Sequence, residues 1–281
     1  MVSSRRRWLV VVLAIILFSP LLLLILPRAR TAFRLIPGFK PLEADQRIWY
    51  ESGAELFAAR LARALPAAMN RVEGIQVLPF KPGFRVYVTA THHRFMKRIG
   101  ENPRAPVRGI TFPWDVWISP MAFDFFGADT HLQTLAHELS HLHLKQHAGR
   151  LSGRKNLPSW FCEGLANKAA DMGFDRMSRK DAVAALLSGR HFQPDSSGHF
   201  FLEDAAQYGV SWPLLHSQSR LFLDYLHQRD PDAFGRHLSA LMDGRDFGVS
   251  FEEQYGNNIG VVWSDFLAGV RIESHPMGEG P

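Results

Sequence analysis

Residues Leu135–Leu144 read LAHELSHLHL. His137 and His141 stand four apart with Glu138 beside the first, which poses one question: a metal-binding catalytic helix, or a helix that is merely rich in histidine. On an α-helix, residues four apart differ by about 40° in azimuth and about 6 Å in rise, so both imidazoles project from one face and can bind one ion. Glu138 falls about 100° round, at the edge of that face, where a carboxylate can take a proton from water and pass it to a leaving amine. His143 and His147 fall about 200–280° from His137 and read as packing or surface histidines. A catalytic zinc takes three protein ligands and keeps an open position, so the pair calls for a third ligand nearby.

Glu163 answers it, 22 residues after His141 in the stretch PSWFCEGLA (158–166). Ser159 is placed to cap a second helix there, with Pro158 just outside. The two motifs together, His-Glu-x-x-His at 137–141 and Trp-x-x-Glu-Gly-x-Ala at Trp160, Glu163, Gly164 and Ala166, resemble the gluzincins, the glutamate-ligand zinc metallopeptidases related to thermolysin. The resemblance implies zinc held by His137, His141 and Glu163, with Glu138 as general base. It implies an α+β, zincin-like fold in which a small mixed sheet is followed by a helical half. It also implies that an extended peptide substrate pairs with an edge strand, where Gly109 and Ile110 stand as substrate-binding candidates.

Two departures from the family pattern are visible. Small bacterial members often begin a downstream helix Tyr-x-Gln-Ser, whereas this chain has His216 in HSQS (216–219). A histidine can still donate to a developing oxyanion, and Tyr208 is the alternative donor. Thermolysin-like members place Asp four residues after the glutamate ligand to buttress a zinc histidine; Asn167 stands there, an acceptor that adds no charge. No Gly-x-Met-Glu-Asn stretch of the aminopeptidase kind occurs, which favours an endopeptidase.

Outward from these motifs, the spacing predicts a helix over 47–74, a strand over 83–91 and a short helix from His92 to Gly100. His92 and His93, at the strand end, read as solvated. Residues 107–120 are β-rich, with Pro113 at an edge or a bend because it lacks the amide proton a central strand uses. The catalytic helix is expected over 129–147, capped by Asp129 or Thr130 and closed by Gly149. Residues 159–173 and 179–189 predict two further helices, 190–212 an irregular stretch, and the remainder a helical C-terminal half. In domain terms, 1–34 read as a membrane anchor, 35–46 as a linker, 47–272 as one metallopeptidase domain and 273–281 as a disordered tail.

Charge is distributed unevenly. Of the net +5, residues 1–34 contribute +6 and residues 35–281 contribute −1. A near-neutral body argues against nucleic acid as a partner. Trp8–Leu26 are 19 uncharged residues, about 28 Å of helix, enough to cross a bilayer, and Arg5–Arg7 precede them as a cytoplasmic flank. This reads as an uncleaved signal anchor with the domain on the extracytoplasmic, periplasmic side of a bacterial inner membrane; a cleaved signal peptide is the other reading. Cys162 is the only cysteine, which rules out an intrachain disulfide. The sequence thus predicts a membrane-anchored zinc metallopeptidase acting on peptides or proteins. The alternative is a catalytically inactive module that binds zinc and peptides at the membrane.

Overall fold

Asp115, buried at the start of an inner strand of a small sheet, shows how that sheet is secured. The computed structural model describes residues 31, 34, 36–123, 130–148, 157–174, 176–196, 198 and 205–274. Its five strands are β1 (Phe39–Leu42), β2 (Asp45–Glu51), β3 (Arg85–Val88), β4 (Gly109–Thr111) and β5 (Asp115–Ile118), paired in the order β1-β2-β3-β5-β4. The sheet is mixed: β2, β3 and β5 run parallel, and β1 and β4 pair antiparallel at the two edges. A buried carboxylate persists only if it is paired and hydrogen-bonded. Asp115 meets that condition, accepting from Nε and Nη2 of Arg34 at 2.8 and 2.6 Å and from the Arg85 amide at 2.8 Å. On one face Tyr87 stacks on Trp117 with centroids 4.6 Å apart, and Phe39 meets both rings edge-on.

Two stretches fold differently from the sequence reading. Residues 47–51 belong to β2, and the helix α1 (Glu55–Gln76) begins only after them. Gly53 takes φ +91, a left-handed conformation that interrupts any helix, and Ile48, Trp49 and Tyr50 pair in register with Val86, Tyr87 and Val88. Aromatic and β-branched side chains suit that pleated surface better than a helix. Residues 39–42, within the stretch read as a linker, form β1. The expectations for 83–91 and for Pro113 hold: β3 lies in the first, and the proline sits in the turn between β4 and β5, where the Phe112 amide donates to the Asp115 carbonyl at 2.9 Å. Helix α2 (His92–Ile99) is capped by the Thr91 side chain and closed by Gly100 in the left-handed region. His92 is not simply solvated; its ring nitrogens lie 2.8 Å from Ser119 Oγ and 3.0 Å from the Ala105 carbonyl.

Contacts group the chain into two compact units, one of residues up to 63 with 83–130, the other of 64–82 with 131 onward. The second holds α3 (Thr130–His147), α4 (Ser159–Ala170), α5 (Arg179–Leu187), α6 (Trp212–Arg229), α7 (Pro231–Met242), α8 (Phe247–Tyr255) and α9 (Ile259–Ser274). The fold class is therefore α+β, as expected. Trp160 anchors this unit's core against Phe192, Phe222 and Phe247, and its indole nitrogen donates to the Asp195 carbonyl at 3.0 Å. Pro158, not Ser159, occupies the cap position of α4, with no side-chain capping bond. His143 and His147 serve packing: their Nε2 atoms lie 2.8 Å from the Leu78 carbonyl and 3.0 Å from that of Pro79. Burial pushes the His143 pKa down to about 4.

Trp8–Leu26, the expected anchor, lies outside the described residues, as do Asp129, Gly149 and residues 275–281 of the expected tail. Among the described residues, no helix is long and apolar enough to cross a membrane.

Candidate metal centre

Helix geometry does to α3 what the sequence spacing requires. His137 and His141 turn their Nε2 atoms toward each other, 3.1 Å apart. From α4 the Glu163 carboxylate reaches both, with Oε2 at 3.3 Å from His137 Nε2 and Oε1 at 3.6 Å from His141 Nε2. Ligand atoms about 2.1 Å from a tetrahedral ion stand about 3.4 Å from one another. One ligand atom from each of the three residues lies within 4.8 Å of the others, so this largely buried group could hold a metal ion.

The bonding supports the same reading. Glu163 Oε2 and His137 Nδ1 are buried and make no hydrogen bond of good geometry. Buried polar atoms so incompletely satisfied are costly, and Glu163 Oε2 keeps only ion-pair contacts, to His137 and His216. Burial disfavours the charged form of Glu163, yet His141, His216 and His137 hold its carboxyl well below the usual carboxylate range. Burial likewise opposes charge on His137, but the Glu163 carboxylate outweighs it, Glu138 adds to it, and the pKa ends above the ordinary 6.5. Burial pushes His141 down to about 3, leaving its lone pair available at neutral pH. The buried carboxylate thus favours positive charge beside it, from a proton on a neighbouring histidine or from a cation that displaces it.

Glu163 reaches the histidines because Gly164 follows it. A Cβ on Gly164 would lie 2.8 Å from Leu223 Cδ2 and 2.9 Å from the Ser219 carbonyl oxygen. Only glycine lets α4 and α6 approach this closely, so the Glu-Gly pair couples a ligand to the contact that seats it. Arg220 reinforces the seat. Its Nη1 donates to the carbonyls of Asn167 and Met172 at 2.7 and 3.1 Å, and its Nε meets Asp224, which also binds Lys168.

The close contact also brings His216 to the cluster, its Nε2 3.4 Å from Glu163 Oε2 and its ring stacked on that of His137 at 6.0 Å. Tyr208 stands elsewhere in the contacts it makes: its hydroxyl donates to Asp195 at 3.4 Å and its ring meets Phe192. His216 thus stands beside the candidate ligands. The rest of the HSQS stretch is structural, with Gln218 accepting from the Phe192 amide at 3.3 Å and donating to the Arg190 carbonyl at 2.9 Å. Asn167 lies beside His137, favours its charged form, and donates through Nδ2 to the His216 carbonyl at 3.3 Å. An aspartate has no donor for that carbonyl, which gives the departure at this position a physical reason. Glu138 is buried on α3 next to the ligands. Gly109 and Ile110 sit on edge strand β4, opposite Ile118 and Trp117.

Lys145 escaped the sequence reading. It continues the 137–141 series by one more turn, is buried, and has its pKa pushed down to about 7 by burial against the pull of Glu138, Cys162 and Glu163. The four-residue spacing was the available signal. Comparison with protein-family models and with curated proteins finds no match for this chain.

Proposed function

We propose that this chain is a zinc-dependent metallopeptidase of the gluzincin type, a membrane-anchored endopeptidase with its catalytic domain outside the cytoplasm. The observation that carries the reading is the convergence of His137, His141 and Glu163 from two helices, with one ligand atom from each within 4.8 Å of the others and Glu138 beside them. Two imidazoles and a carboxylate suit zinc, which when bound supplies Lewis acidity toward a carbonyl and toward water. Glu138 takes the proton from the attacking water and returns it to the departing amine. His216, held over His137, donates a hydrogen bond to the oxygen of the scissile carbonyl as it gains charge. Asn167 orients His137 from behind and, through the His216 carbonyl, ties the two histidines into one assembly. The edge strand of Gly109 and Ile110 pairs with an extended peptide by main-chain hydrogen bonds. Trp8–Leu26 anchor the chain in the bilayer.

The test is a metal analysis of the full-length protein paired with an unbiased peptide-cleavage screen of wild type and Glu138→Gln. One zinc per chain is expected in both, with cleavage lowered about 100-fold or more in the variant. Stoichiometric zinc with equal, near-zero turnover in the two proteins would replace the peptidase by the binding module.

A further inference from the structure

Single apolar side chains on a surface need no explanation, and Leu56 and Val77 are of that kind. Trp212 is different. It is the one aromatic ring among the large exposed apolar side chains of the described residues, 41% exposed on the first turn of α6. Its indole meets the His216 ring edge to face, with centroids 5.6 Å apart at 80°. His216 in turn stacks on His137 at 12°. His216 therefore touches both the ring of a candidate ligand and the exposed indole, and links the two.

Resting on the peptidase reading, we propose that Trp212 is a specificity-determining residue that receives an aromatic side chain of the peptide substrate close to the scissile bond. The indole thus lies no more than two ring contacts from His137. That is within reach of an aromatic side chain one or two residues from the bond, at about 3.4 Å of extended chain per residue. A substrate ring gains there by covering exposed indole surface and by the offset or edge-on geometry that aromatic pairs favour. The indole's two rigid torsions make it a low-entropy platform.

The experiment uses full-length protein loaded with zinc and fluorescein-labelled decapeptides identical except for Phe, Leu, Ala or Arg, placed in turn at each of five central positions. Cleavage is followed in the wild-type background and binding, by anisotropy, in Glu138→Gln. A Phe-over-Ala preference of about tenfold is expected at one position, lost in Trp212→Ala and restored in Trp212→Phe, with zinc content and melting temperature checked in both. A preference unchanged by Trp212→Ala, or a preference for Arg over Phe, overturns the assignment. Binding that depends on Trp212 without cleavage in wild type would remove the peptidase reading and leave this recognition standing. Robust cleavage indifferent to Trp212→Ala would do the reverse.

Discussion

The Cα of Gly164 faces the carbonyl oxygen of Ser219 so closely that a methyl group added there would lie 2.9 Å from it. One residue earlier, Glu163 supplies the carboxylate of the His137–His141–Glu163 group that could hold a metal ion. Backbone contact and ligand position are therefore one feature.

Gly164→Ala separates α4 from α6, and overpacking of this kind costs about 1–3 kcal/mol. The same displacement moves Glu163 from the histidines. The expected result is a lowered melting temperature together with zinc affinity weakened about tenfold or more, read by competition with a chromogenic chelator. A stability loss with unchanged affinity would show that α4 shifts without carrying its ligand.

Asn167→Asp is expected to harm the protein, although it restores the residue that the resembling family carries. The new carboxylate faces the His216 carbonyl, which now receives the Asn167 amide at 3.3 Å. Loss of that donor and the repulsion replacing it destabilise by about 1–3 kcal/mol. Chemical denaturation tests this; a variant at least as stable as wild type, with tighter zinc, contradicts the geometry.

Arg220→Met removes the side chain that closes the C-terminal end of α4 by binding the carbonyls of Asn167 and Met172. Hydrogen bonds to charged groups contribute about 1.5–3 kcal/mol each in favourable cases, so a fall of about that size is expected for the pair. Hydrogen exchange of the amides near residue 167 should rise in step.

His237 contributes acid sensitivity to the helical unit. It is fully buried among Phe161, Phe247 and Phe251, with Nδ1 2.8 Å from Ser250 Oγ, and burial pushes its pKa down to about 3. Its folded pKa lies below the ordinary 6.5, so the unfolded chain binds the proton first. Its contribution is intact above pH 6.5 and is lost as the pH falls toward 3. The double variant His237→Phe, Ser250→Ala removes both partners and should show a smaller drop in urea midpoint between pH 7 and pH 4.5 than wild type. An equal drop would assign acid sensitivity to other groups.

The sequence disclosed those parts of the site whose geometry is local. His137, Glu138 and His141 share a helix, and helical rise and azimuth follow from spacing alone. Glu163 was legible through its motif, and the structure shows why Gly164 and Trp160 accompany it. The nearness of His216 to Glu163 was not legible, because it depends on how closely α6 approaches α4. Strands β1 and β2 were hidden for the same reason: Ile48, Trp49 and Tyr50 become a strand by pairing with Val86–Val88, far along the chain. Local patterning favoured the helical reading that begins, in fact, at Glu55. Trp212 drew no attention in the sequence, since its meaning lies in which ring it touches.

Cys162 precedes Glu163 on α4 and is buried. The chain's only thiol is thereby built into the helix that carries the candidate ligand Glu163, as an internal clock. Its alkylation rate by an excess of iodoacetamide should count how often that helix leaves its seat, and zinc, by stabilising the seated form, should slow the count in proportion to its saturation.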